Sequence, residues 1–209
     1  MESPYFNAVL QFIAQDECYN REMKLAKEEF EAFAGPIYDS DRTYDARINS
    51  FHNWYILDRP LRSHGVTPLN YFIEYNANTL PEQELTDYRE LRGNVHSVFA
   101  LVKLVGTKTR VRDLMSGKKY DIEGTETTQF VDRGALFNTR LFRHGKSYFP
   151  SNYVLLHPPV VAKLIRLEAR KVKKAKLDPK ELLFTLVLYQ GRFDQYKQMD
   201  PRSIYRFGE

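Results

Sequence analysis

The 209-residue sequence predicts an α+β fold: N-terminal helices, a small central antiparallel β-sheet or barrel, and C-terminal helices. As far as Leu91, apolar residues recur at helical spacing. From Val95 the pattern changes to short alternating segments with glycine turns about every ten residues. After Pro158-Pro159 the helical period returns. This order divides the chain into a helical region 1–93, a β-rich barrel-like region 94–157 and a helical region 158–209, packed as one unit.

Ser3-Pro4 supplies a hydroxyl cap and a proline for the first helix. Phe6, Val9, Leu10, Ile13, Met23, Ala26, Phe30 and Phe33 then mark one face through roughly residues 4–33, with a bend near Cys18. Gly35-Pro36 ends it. A second helix runs from Ser40 or Asp41 to about Asp58, before Pro60. Thr67-Pro68 opens a third, through Tyr75, and Leu80-Pro81-Glu82 a fourth, stopped by Gly93. Strands are predicted over Val95–Val105, Arg110–Leu114, Tyr120–Glu123, Phe130-Val131, Leu136–Phe142 and Ser147–Leu156. A basic helix follows over 160–176. Asp178-Pro179 starts another, which Gly191 ends or bends.

Composition narrows the function classes. Apolar residues are 43% and charged residues 28%, the balance of an ordinary soluble globular chain. No apolar run is long enough to cross a bilayer, and Met1–Phe12 lacks the basic start of a secretory signal. Cys18 stands alone, so no internal disulfide or cysteine metal cluster is expected, and a cytoplasmic location follows. The net charge of +4 is uneven: residues 1–34 hold seven acids and three bases, while 163–176 hold seven bases and one acid. That asymmetry calls either for an internal match of opposite charges or for an anionic partner.

Chemistry-bearing patterns are sparse. His52, His64, His96, His144 and His157 never take the spacing of a helical metal-binding pair, and no cofactor or metal is expected. Cys18 lies beside Glu17, which disfavours a thiolate. No nucleophile elbow, P-loop or dinucleotide fingerprint occurs, so no catalytic residue is assigned. Asp113 and Asp121-Ile122-Glu123 alternate as the wet face of a hairpin does. Asp58 and Arg59, beside the only tryptophan, Trp54, fit a structural motif: the two charges pair, or satisfy loop backbone, above Trp54 and Leu61.

The basic helix is the strongest binding candidate. Lys163, Arg166, Arg170, Lys173 and Lys174 recur at three- and four-residue spacing, as a stripe that follows a phosphate backbone does. The β-rich region adds Arg110, Arg112, Lys118, Lys119, Arg133, Arg140, Arg143 and Lys146, interleaved with Tyr120, Phe142 and Tyr148 for base stacking. Arg140 and Arg143 join the helix residues in the expected nucleic-acid site.

The segments Phe51…Trp54…Leu57-Asp58-Arg59…Leu61, Gly65-Val66-Thr67-Pro68-Leu69, Ser97-Val98-Phe99, Val111–Tyr120 and Val131–Leu141 carry a family likeness. Over roughly residues 48–156 the chain resembles an uncharacterised bacterial family often joined to a small zinc-binding SEC-C motif. The resemblance implies a helical lead-in and a small β-barrel-like unit, and no catalytic residues. The cysteines of the zinc motif are absent from this chain.

The expected function is therefore a non-enzymatic cytoplasmic binding module, contacting RNA or DNA through the basic helix and the barrel, with no membrane partner. A protein–protein adaptor or homodimer is the second reading. It would use the acidic first helix or the tyrosines Tyr5, Tyr38, Tyr44, Tyr71 and Tyr75. An enzyme with a site assembled from scattered residues is the third.

Overall fold

A computed structural model describes residues 4–105, 108–123, 133–145 and 147–208. The helical lead-in comprises α1 (Pro4–Ala14), α2 (Glu17–Ala34), α3 (Tyr44–Leu57), α4 (Pro68–Tyr75) and α5 (Glu82–Glu90), and a 3-10 turn over Leu91–Gly93. The single bent helix expected over 4–33 is two helices. The Asp16 carboxylate accepts the Cys18 amide at 2.7 Å and so caps a new helix start. Thr67 caps α4 as its sequence predicts, its hydroxyl accepting the Asn70 amide. The proposed Ser3 cap of α1 lies outside the described residues.

The buried faces of these helices meet in one core containing Val9, Ile13, Ala26, Phe51, Tyr55, Leu61 and Leu69. Phe30, Trp54 and Phe184 form an aromatic knot that ties α2 and α3 to a C-terminal helix. Arg47 is buried through α3, with only 1% of its surface exposed. Its guanidinium donates to the carbonyls of Ala34, Gly35 and Pro36 and to the Asp41 carboxylate. It thereby closes the C-terminal end of α2, where helix carbonyls lack internal partners.

The β region holds β1 (Val95–Val105), β2 (Lys108–Asp113), β3 (Lys119–Ile122), β4 (Leu136–His144), β5 (Ser147–Pro150) and β6 (Leu155–Leu156). The expected strand over Ser147–Leu156 is split into β5 and β6, and that over Phe130-Val131 lies outside the described residues. Neighbours run β1-β2-β3-β5-β4, and β4 pairs back onto β1, so five strands close a barrel; β6 adds to β4. All pairs are antiparallel except β3 with β5. Phe99, Leu101, Val111, Ile122, Phe137 and Leu141 fill its interior.

Asp113 corrects the hairpin reading. It is buried, accepting the Ser97 and Ser116 hydroxyls and the Met115 amide, and so shapes the β2–β3 turn. Asp121 does lie on the outer face, paired with Arg110.

Outside the barrel, Val98, Ala100 and Leu136 are covered by Ile165 of α6 (Ala162–Ala175) and by Leu182, Leu183 and Leu186 of α7 (Lys180–Gln195). Gly191 does not end α7, which continues to Gln195 against Arg47. The tail folds as α8 (Pro201–Ile204) and docks through buried Tyr205. The Tyr205 hydroxyl bonds His157 Nδ1 at 3.0 Å, His157 Nε2 bonds Asn138 Oδ1 at 3.1 Å, and the Asn138 amide donates to the Leu183 carbonyl.

Burial holds the His157 imidazole down at about 3. In the unfolded chain it titrates near 6.5, so below that pH the unfolded state takes up the proton first. Stability from this site is complete above about pH 6.5 and drains away as pH falls toward 3. We expect a loss of about 2 kcal/mol from this site between pH 7.5 and pH 5. Urea unfolding at the two pH values, beside His157→Gln, checks it: the variant should show a pH difference smaller by that amount, and an unchanged difference would discard the assignment.

Among the described residues no helix is long and apolar enough to cross a membrane, and no group of three or more His, Cys, Asp or Glu could hold a metal ion. Cys18 is a free, exposed thiol.

Candidate nucleic-acid interface

Helix α6 seats Ile165 and Ala169 on the barrel, which turns its basic residues outward along two lines. One line runs beside the barrel. Arg166 donates to the Gly134 carbonyl at 3.0 Å, and Lys173 donates to the Ser116 carbonyl at 2.9 Å. Arg170 lies one turn on from Arg166 and is exposed. Lys163 and Lys174 are exposed on the other line, and none of Lys163, Arg170 and Lys174 has an ion-pair partner among the described residues.

The outer face of the sheet continues the first line. Ala100 of β1 pairs with Arg112 of β2, and Arg112 with Lys119 of β3. Ala100 belongs to the surface that α6 covers, so Arg112 stands beside the helix. Burial, with the nearby positive charges of Arg112 and Arg170, pushes the Arg166 guanidinium below its usual value. The positive charges of Arg112 and Arg170 thus both bear on Arg166, an arrangement that an anion relieves. Arg112, Lys118 and Lys119 make no ion pair with a described residue, whereas Arg110 is neutralised by Asp121 and Lys108 by Glu123.

Not every expected residue joins this ridge. Arg140 is only 2% exposed. Its guanidinium holds both oxygens of Asp58 and donates to Asn94 Oδ1 at 2.7 Å, so it is not presented to a phosphate. Arg143 is exposed, but its Nε donates to the Gly145 carbonyl at the far end of β4. Lys146 lies outside the described residues. Tyr120 and Tyr148 pack edge to face at 4.8 Å against the barrel interior, and Phe142 packs on the helical core. Their rings are structural here and do not form an open stacking platform.

Of the two roles expected for Asp58 and Arg59, the structure places one: Arg59 Nη1 donates to the loop carbonyl of Pro60 at 3.3 Å. Asp58 and Arg59 do not pair with each other. Arg59 pairs with Glu22 at 2.8 Å and Glu29 at 2.9 Å, while Glu22 also accepts the Arg62 amide. This pins the loop after α3 onto α2 and uses two of the acids of α2. Among the described residues no ion pair joins α2 to α6, so the acidic and basic segments are not matched within the chain.

A scan against protein-family models finds no match, and searches of curated proteins and of solved structures find none either.

Proposed function

We propose that this protein is a cytoplasmic, non-enzymatic nucleic-acid-binding module that holds single-stranded RNA along the ridge formed by α6 and the outer face of β2 and β3. The observation that carries this reading is the clustering of Arg112, Arg166 and Arg170 with no acid paired to any of them among the described residues. A closed five-stranded barrel is a common scaffold for oligonucleotides, which supports a single strand over a duplex. The ridge supplies phosphate contacts, which fix affinity and salt dependence more than sequence preference.

Anisotropy of a labelled single-stranded RNA across a salt series tests it. The variant Arg112→Gln/Arg166→Gln/Arg170→Gln/Lys173→Gln should bind at least about tenfold more weakly, with a log–log salt slope shallower by roughly 3. The outward pair Lys163→Gln/Lys174→Gln should lose far less. Equal affinity in the four-fold variant and the unaltered protein would remove the assignment.

One observation favours a protein partner as the second reading. Tyr75 is 65% exposed and clusters with Phe12 and Tyr71 on the helical lead-in. Exposed aromatic groups of this kind suit interface cores. A mass in dilute solution that falls to one chain as salt rises would instead identify a homodimer joined through α2 and α6.

A further inference from the structure

The cations of the α6 ridge come from two elements that meet along one seam. Ala100 of β1, with Leu114 and Met115 of the turn after β2, packs in the core beneath α6. Arg112 is opposite Ala100 in the ladder and so borders the helix. On the helix side, Arg166, Arg170 and Lys173 fall on one line, at steps of four and three residues. The two ends of that line are tied down, Arg166 to the Gly134 carbonyl at 3.0 Å and Lys173 to the Ser116 carbonyl at 2.9 Å. Arg170 lies between them and Arg112 lies across the seam. Both are exposed, and neither is paired with an acid among the described residues.

The acids of these elements are already engaged. Asp113 is buried, accepting the Ser97 and Ser116 hydroxyls and the Met115 amide. Glu168, the acid of α6, pairs with Lys171 at 2.6 Å. The turn that carries Ser116 is set by the Gly117 amide on the Asp113 carbonyl at 2.9 Å and by the Lys118 amide on Ser116 Oγ at 3.2 Å. Two free guanidinium groups thus flank a floor that is ordered and already holds two further cations. Positive charge is gathered at one place on this seam, in addition to the line it forms along the helix.

A phosphodiester inside a strand carries one charge and two free oxygens. A terminal phosphate monoester carries about −1.5 to −2 and has three. An arginine fork takes two oxygens in bidentate fashion, so two forks on one phosphate are met better by three oxygens than by two. We propose that the ridge seats the terminal phosphate monoester of a nucleic-acid strand between Arg112 and Arg170, so that the protein grips a strand by its end. This rests on the RNA reading and names the part of the strand that occupies the seam. Arg166, Lys173 and Lys119 supply the contacts to the backbone that follows.

The test is anisotropy with an oligouridylate of about twelve nucleotides, labelled on an internal base. Four forms are compared: 5′-phosphate, 3′-phosphate, hydroxyl at both ends, and hydroxyl-ended but one nucleotide longer. The last has as many phosphates as the two monoester strands, and the first two distinguish the ends. At least one monoester strand should bind about tenfold or more tighter than both hydroxyl-ended strands. Arg112→Gln and Arg170→Gln, at exposed positions, should each remove most of that advantage, while hydroxyl-ended strands lose no more than about threefold. Arg143→Gln, which removes an exposed arginine at the far end of β4, should leave the advantage intact. If all four strands bind alike and the four-fold ridge variant weakens them all, the terminal site is overturned and the RNA reading stands. An advantage that persists in both Arg112→Gln and Arg170→Gln would place the terminus elsewhere and overturn the site too. If no strand binds at low salt, the RNA reading itself falls, and the terminal site with it.

Discussion

Replacing Arg140 with methionine should cost about 3–5 kcal/mol of stability, the range for removing one partner of a buried ion pair. The reason lies in where Asp58 sits. Its carboxylate stands at the C-terminal end of α3, where the helix dipole is itself negative. The Arg140 guanidinium, reaching across from β4, is the charge that makes that position tolerable. Its loss also strips Asn94 Oδ1 of its donor and unties the helical lead-in from the barrel. Urea unfolding of Arg140→Met, Asp58→Asn and the double variant measures the coupling. The double variant should lose well under the sum of the two single losses. Additivity to within about 0.5 kcal/mol would mean that the pair contributes nothing specific.

Gly191→Ala should also destabilise, against the sign that helix propensity alone gives. In a helix interior alanine is favoured over glycine by about 1 kcal/mol. Here an added Cβ would lie 2.6 Å from both Cζ and Nη1 of Arg47, whose guanidinium is fixed by four hydrogen bonds to the end of α2 and its loop. Either the arginine leaves its acceptors or α7 moves outward, at a cost of about 1–3 kcal/mol. Thermal or urea unfolding gives the sign directly. In an Arg47→Met background the same glycine change should cost much less, since the planar head group is gone. A stabilised Gly191→Ala protein would show that the close approach is not a constraint.

Much of the architecture was legible because the signals are local. Thr67-Pro68 caps α4, and the Val95–Val105 run is β1, since cap chemistry and side-chain period act within a few residues. The order of helices, barrel and helices followed from the same periods. Long-range pairings left no such mark. Arg140 is preceded and followed by residues that alternate like any strand, and nothing adjacent reveals that its partner is Asp58, 82 residues earlier. It was read as a surface cation because strand alternation does not say which outer face a helix end will cover. Asp113 was misread for a similar reason: its burial depends on Ser97 across the strand pair. The α6 stripe was visible from helical spacing, but its continuation onto Arg112 and Lys119 needed the register of three strands. A pocket lined by Leu57, Asp58, Leu69, Arg92, His96 and Arg140 had no sequence signature, because its walls come from four separate segments.

The barrel is closed unevenly. β1 and β4 share a six-residue ladder from Val95–Leu141 to Ala100–Leu136, whereas among the described residues the backbone ladder of β3 with β5 is the single pair Ile122–Tyr148, extended by the Glu123 amide bonded to the Tyr148 carbonyl. A cylinder with one thin join behaves as a curled sheet with a latch. That join is where opening of the barrel is expected first, since it holds the fewest ladder bonds. The β2–β3 turn is itself held to α6, by the Lys173 bond to the Ser116 carbonyl and by Leu114 and Met115 packed in the core beneath the helix, so Arg112 and Lys119 stay beside Arg166 and Arg170 when that join opens.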